Sequence, residues 1–287
     1  MQPVIFLKSQ DIQPTFFSGY ERQMEFGMTF GKMAEKLKTE YRLLLFGFPG
    51  TGKTLYPQAL ASNLNKNGSE YSLVKVKCNS LRIDSPKVVR KWINKIDRYL
   101  KHGQVVLVLD ELDIFAQRRD ESEYNVYNTA TGHIMNILDE RYPSTITLGI
   151  TNNPYKLDVA VRDRFDYPIY FPISNSNIES ILRYRGIPNP EQTAEQLRAI
   201  YTENQTNTSN RNIFKSMNFV NSIDKKSSNI LSKMRISDDP KEMAIRLYLN
   251  SGIPISEQEV EDYEEENRFI INKSNMLLSY LFDSKID

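Results

Sequence analysis

Eight consecutive residues, Gly47-Phe48-Pro49-Gly50-Thr51-Gly52-Lys53-Thr54, set glycines ahead of a lysine and a hydroxyl side chain. Glycine lets backbone N–H groups curl around an anion, and a helix that follows points its positive end at the same anion. The lysine then reaches the terminal phosphates of a nucleotide, and the threonine hydroxyl ligates magnesium. The chemistry implied is binding of ATP with Mg2+, with Pro49, Gly50, Thr51, Gly52, Lys53, Thr54 and Leu55 around the nucleotide. Further along, the apolar run 105–109 ends in Asp110-Glu111-Leu112-Asp113. A carboxylate at the carboxyl end of a buried parallel strand emerges where ligands bind in open α/β sheets. Asp110 there supports Mg2+ through its water shell, and Glu111 activates the attacking water as general base. Asn152, after another apolar run, can hydrogen-bond the γ-phosphate or that water. An Asn152-Asn153-Pro154 turn is the plainer account.

These residues need a scaffold, and the pattern around them supplies one. Five runs rich in Val, Ile, Leu, Phe and Tyr, at 42–46, 72–77, 105–109, 145–151 and 168–173, read as strands. The run 105–109 has no polar alternation, which suits a parallel strand covered on both faces. Helical spacing falls between the runs at 53–65, 85–101 and 128–141, with Ser85-Pro86 as a helix start. The alternation predicts an α/β fold, a five-stranded mainly parallel sheet flanked by helices. After about Ser174 strand-like runs stop and short helices follow at 178–185, 191–202 and 213–223, then 240–250 and 273–282. The predicted layout is a lead-in segment 1–40, a nucleotide-binding core 41–174, and a small all-helical lid domain with a C-terminal extension over 175–287. The acidic run 257–266 reads as a solvated helix face. Trp92, with Val88, Val89, Ile93 and Ile96 at helical spacing, reads as core.

Composition narrows the partners. With 37 basic and 36 acidic side chains the formal charge is only +1, so the global basic excess of a nucleic-acid binder is missing, though a local patch is not excluded. The single Cys78 forbids an intrachain disulfide and fits a reducing compartment, with burial as its expected state. The apolar run near the first residues is too short for a signal peptide, and no run is long enough to span a membrane. The expectation is a soluble cytoplasmic protein with no separate recognition domain ahead of the core.

Taken together these residues resemble the AAA family of ATPases, in particular its classical branch of proteasomal and microtubule-severing members. The stretch Asp110-Glu111-Leu112-Asp113-Ile114-Phe115-Ala116-Gln117-Arg118-Arg119 is similar to the family's extended Walker B segment. Gly149-Ile150-Thr151-Asn152 resembles its sensor-1 strand end, which makes Asn152 a sensor. Leu157-Asp158-Val159-Ala160-Val161-Arg162-Asp163-Arg164-Phe165-Asp166 resembles its second region of homology. The resemblance runs from about Phe16 to Val220 and implies a self-assembled ring, usually a hexamer. In such a ring Arg162 and Arg164 reach the neighbouring subunit's site as arginine fingers. Asn207-Thr208-Ser209-Asn210-Arg211 is similar to the opening of a lid helix, where Arg211 is either a nucleotide sensor or part of a capped helix start. Phe17-Ser18-Gly19-Tyr20 falls where relatives contact adenine, and core packing of its aromatics is the simpler reading.

The chain departs from threading relatives between its second strand and the next helix. Cys78-Asn79-Ser80-Leu81-Arg82-Ile83-Asp84-Ser85 lacks the family's aromatic-aliphatic-Gly pore loop, leaving Leu81 and Ile83 to grip a substrate, or Arg82 to meet an acidic one. The segment 117–128, with Tyr124 and Tyr127, is either a second pore loop or an ordinary connection. The function implied is an oligomeric ATPase that remodels an unidentified protein partner. The alternative is a nucleic-acid-associated ATPase of the replication, recombination or clamp-loader kind, for which a basic ridge would speak.

Overall fold

The computed structural model describes residues 2–83, 85–115, 127–173, 178–184, 186, 189–203, 206–207, 213 and 255–283. The run 105–109 forms β4 (Val105–Asp110), buried along its whole length as its unbroken apolar character requires. Around it β1 (Val4–Leu7), β2 (Glu40–Phe46), β3 (Ser72–Lys77), β5 (Thr145–Ile150) and β6 (Tyr167–Tyr170) complete a six-stranded sheet in the order β1-β3-β4-β5-β2-β6. The strands from β3 to β6 pair in parallel, so all five predicted strands are present. The sixth, β1, lies in the lead-in segment and adds antiparallel to β3, with Val4 opposite Val76. Only four residues long, it offered too little periodicity to read.

The helices follow the sheet closely. α1 (Glu21–Leu37) precedes β2, and α2 (Tyr56–Lys66) follows the glycine-rich loop. α2 begins later than the spacing suggests because Pro57 has no N–H to give to Lys53, which leaves 53–55 as turns. Two glycines let α1 approach α2: a Cβ on Gly27 would sit 2.0 Å from the Tyr56 hydroxyl, and one on Gly31 would sit 2.7 Å from Leu64. The connection after β3 is not a loop but a short helix, α3 (Cys78–Ile83), with Cys78 and Leu81 buried one turn apart. Leu81 is therefore core and not a substrate grip. α4 (Pro86–Lys101) starts as predicted, with Val88 and Val89 bonding back to Ser85 O. Its Val89, Ile93, Ile96 and Leu100 are buried, whereas Val88 is exposed and Trp92 half-buried against Phe6. α5 (Leu112–Phe115), α6 (Tyr127–Asp139) and α7 (Val159–Arg162) complete this set.

One compact unit comprises Met1–Gly47, Lys53–Phe171 and Asn267–Asp287. Its last element, α11 (Arg268–Asp283), returns to the edge strand β6, whereas the sequence reading put it beyond the lid. The reason is visible at Tyr170, whose outward N–H receives no neighbouring strand. Ser274 Oγ accepts that N–H at 2.8 Å, and Gln23 of α1 donates to Tyr170 O at 2.9 Å. Leu278 joins the core cluster below. A covered edge cannot recruit a foreign strand.

At the other end of β2, Glu40 and Arg42 form a buried ion pair at 2.8 Å. Arg42 also donates to the carbonyls of Leu138 and Glu140, capping the orphan end of α6, and Thr147 donates to Glu40 at 2.6 Å. With its two terminal nitrogens engaged, though Nε is left without an acceptor among the described residues, the guanidinium can stay charged beside Glu40 away from water.

The second unit comprises Phe48–Gly52 and Pro172–Glu266. Its described elements are α8 (Ile178–Tyr184), α9 (Pro190–Glu203), β7 (Thr206–Asn207), β8 (Ile255–Ser256) and α10 (Glu257–Glu266). α8 packs on α9 through Ile178, Ile181, Leu182, Ala194 and Leu197, all buried. The antiparallel β7–β8 pair, two residues a side, is the one departure from an all-helical lid among the described residues. α10 is exposed along its acidic residues, as a solvated face should be. Ser256 caps it, exchanging bonds with Glu259. Of the predicted helix 213–223 all but Ile213, the predicted helix 240–250, Arg211, and the stretch 117–126 lie outside the described residues.

Candidate nucleotide site

Three adjacent parallel strands, β4, β5 and β2, end at the same edge of the sheet. Asp110 and Glu111 close β4, Thr151 and Asn152 follow β5, and Gly47 follows β2. The topology thus brings together residues scattered over more than a hundred positions, at the edge where open α/β sheets bind ligands.

The loop after β2 has the backbone that an anion cradle needs. Gly47, Gly50 and Gly52 have φ of 139°, 85° and 103°, values that side chains resist. Gly47 has a second constraint, since a Cβ there would lie 2.3 Å from Phe171 O. Thr51 Oγ1 donates to Phe48 O at 2.9 Å, and the buried Lys53 donates from Nζ to Gly47 O at 2.6 Å. The lysine thus turns into its own loop. Thr54 and Leu55 are exposed. Glycines at positive φ and an inward lysine fit a nucleotide triphosphate, and Thr54 with Asp110 are suited to hold its magnesium.

Asp110 is buried and pairs with Lys75 of β3 at 2.8 Å. Glu111, exposed, stands at φ 61°, a left-handed backbone that a glutamate adopts only under surrounding constraint. Two residues on, Asp113 supplies a constraint. Its carboxylate accepts the Thr151 hydroxyl, the Asn152 N–H at 2.8 Å and the Asn153 N–H at 3.2 Å. One side chain therefore ties the turn after β4 to the end of β5 and fixes Glu111 and Asn152 relative to each other. The sequence reading quoted Asp113 without giving it a task; a carboxylate three residues after Asp110 was its only signal. Cys78 lies close by, and burial, with the charges of Asp110 and Glu111 adding to it, pushes its thiol well above the ordinary range. It is an inert core residue, as expected.

Arg162 and Arg164 are not part of this cluster. Asp158 caps α7 by accepting Ala160 N–H at 2.8 Å, and the chain then turns back toward the start of β6. Asp166 N–H bonds Arg42 O, so the arginine segment lies level with the beginning of β2. Gly47 lies roughly 16 Å further along at ~3.3 Å per residue. Arg164 is held by Asp139 at 2.7 Å, while the Arg162 guanidinium lies over the Tyr155 ring, 5.3 Å from its centroid. Phe165 anchors the segment on β5, where it and Leu112 leave no space for a Cβ on Gly149. The aromatics of the 17–20 segment pack in the core, Phe17 lying 5.5 Å from Tyr56 and 5.7 Å from Tyr20. No helix among the described residues is long and apolar enough to cross a membrane.

A family profile described as ATPase family associated with various cellular activities (AAA) matches residues 43–173. Human (Homo sapiens) vacuolar protein sorting-associated protein 4A is 29% identical over 148 residues, covering 47% of this chain and 31% of that protein. A putative 26S proteasome regulatory subunit homolog of Methanocaldococcus jannaschii is 31% identical over 153 residues, covering 51% of this chain and 38% of its own. The matched region thus spans well under half the length of these relatives. Among solved structures, one described under katanin self-assembly superposes with a TM-score of 0.61 at 16% identity, over 91% of this chain and 93% of that one. The FIGL-1 AAA domain gives 0.63 at 17% identity, over 88% and 87%. Both likenesses bear on the fold, a P-loop core followed by a helical lid. On the sheet, the loop and the profile match together, residues 43–173 of this chain are similar to the AAA family of ATPases.

Proposed function

We propose that this chain hydrolyses ATP and uses the reaction to remodel a protein partner. The observation that carries the reading is the convergence of the glycine loop, Asp110–Glu111 and Asn152 at one sheet edge. Lys53 neutralises the terminal phosphates, while loop N–H groups orient them. Thr54 and Asp110 would hold magnesium, which would supply positive charge against the phosphate oxygens. Glu111 takes a proton from the attacking water, and Asn152 aligns that water or the γ-phosphate. Asp113 keeps the last two in register.

Arg162 and Arg164 act in trans, in the site of a neighbouring subunit of a ring, the hexamer that the family resemblance implies. What supports this is that Asp166 bonds Arg42 and Asp139 holds Arg164, at the opposite end of β2 from Gly47. Activity per subunit then rises with protein concentration. The relatives named for protein sorting and for a proteasome regulatory subunit support a protein partner over other cargo.

The test is Glu111→Gln. It retains ATP binding while phosphate release falls by about 100-fold or more. Turnover at the wild-type rate would remove Glu111 from the role of base. The same variant held in ATP is the bait for capturing the partner.

One observation favours the second reading, a nucleic-acid-associated ATPase. α4 exposes Lys87, Arg90, Lys91 and Arg98 along one face, the basic ridge that the overall charge conceals. Stimulation of hydrolysis by DNA or RNA, and none by proteins, would promote it to first place.

A further inference from the structure

Lys75 sits in the middle of β3, between Ile5 of β1 and Val108 of β4. Strands flanked on both sides are seldom given a lysine, because the ammonium has to find water or a partner. Here the partner is Asp110, two positions further along β4 than the residue directly opposite. The register pairs Lys77 with Asp110 and Lys75 with Val108. A diagonal of roughly 7–8 Å between strands is within reach of a lysine stem. Nζ meets Oδ2 at 2.8 Å, with the two side chains 20% and 10% exposed, so solvent screens the pair only in part.

The contact uses one of the two carboxylate oxygens of the residue assigned to the magnesium shell. A carboxylate has about four lone-pair positions. With Oδ2 engaged by the ammonium, Oδ1 is left for a metal-bound water. Lys75 thereby fixes the face Asp110 presents.

We propose that Lys75 is a positioning residue that restrains Asp110 and weakens its hold on magnesium, so that it sets how much of the ion the nucleotide site requires. The proposal rests on the reading of the glycine loop as a Mg-nucleotide site. Without metal the pair keeps a buried carboxylate neutralised; with metal the two cations compete for it. The competition gives the site a magnesium threshold that Asp110 alone would not have.

The experiment titrates Mg2+ into wild-type protein and variants at fixed fluorescent ADP, reading nucleotide binding by anisotropy and not turnover. Lys75→Met lowers the Mg2+ concentration for half-maximal binding by roughly threefold to tenfold. Lys75→Arg, which keeps the charge, stays near wild type. Should the methionine variant fold poorly, Lys75→Gln serves, with the extra melting temperature conferred by Mg-ADP over ADP in chelator as a second readout. In an Asp110→Asn background the Lys75 substitutions shift nothing. An unchanged or raised Mg2+ requirement in both neutral variants overturns the proposal, as does an equal shift with Asp110 already neutral. Wild-type protein that takes up no nucleotide at saturating Mg2+ takes down the phosphate-loop reading and this proposal with it. Wild-type binding with unshifted variants takes down this proposal alone.

Discussion

The glycine loop and the arginine segment belong to opposite ends of β2 and are held in place by different means. The loop is shaped by main chain: three glycines at positive φ, and a lysine bonded to a loop carbonyl. The arginine segment is shaped by side chains, with Asp158 capping α7, Phe165 seated on Gly149 and Asp139 gripping Arg164. The difference teaches that one half of the site is prepared for its ligand by backbone geometry alone. The other half is a surface feature, whose cations are parked on local partners until something else claims them. Arg162 and Arg164 also differ from each other. Arg164 is committed to an ion pair, whereas Arg162 rests on an aromatic face, a contact more easily exchanged.

That contrast can be broken most sharply at Arg162. Arg162→Ala is expected to lower kcat by about 10³-fold with nucleotide affinity unchanged, and Arg164→Ala by distinctly less. Mixing Arg162→Ala with an inactive Lys53→Ala variant restores phosphate release, because each supplies what the other lacks. If mixtures stay dead while both variants assemble, the arginines do not act in trans. The next effect is on the loop itself: Lys53→Ala weakens nucleotide binding by roughly a hundredfold, measured by calorimetry, and Arg162→Ala does not. Smaller again is Asp113→Ala, which removes the acceptor for two main-chain N–H groups and a hydroxyl. It is expected to cost about 2 kcal/mol in urea unfolding and to lower kcat beyond what that loss of stability explains.

The smallest effect concerns Asp139. Its hydrogen bond to Arg164, offset in part by burial and aided by the charges of Arg164 and Arg42, holds its carboxyl below the usual range. A depressed folded value means the pair stabilises above the unfolded pKa of about 3.9 and that its contribution fades as pH falls through the folded value. Asp139→Asn therefore costs a few tenths of a kcal/mol at neutral pH, the pair being exposed, and progressively less as pH falls through the folded value. A gap in melting temperature that persisted in acid would mean that Arg164 is not held by charge.

Much of this was legible in the sequence, and the reason is physical. Glycine spacing, a strand with no polar alternation and an acidic pair at its end are local facts, and five strands with their order along the chain followed from them. The convergence of Gly47, Asp110 and Asn152 could be reached because parallel strands end at one edge. Asp113 and Lys75 were not legible, since both act across strands and a sequence does not state register. Leu81 was misread because a short connection hid a turn of helix. The place of α11 was missed because nothing in its amphipathic pattern says which edge it will cover.

Ser274 and Leu278 on the far side of β6 carry one more consequence. The lid elements are an insertion between two pieces of the same layered unit, since α11 covers the edge of the sheet to which Val4 belongs. Contacts between segments this far apart in sequence form slowly, so the nucleotide-binding unit completes its fold only after α11 has been made. Until then the backbone of Tyr170 is an open invitation to stray strands, and a ribosome-stalled chain lacking the final helix should attract chaperones.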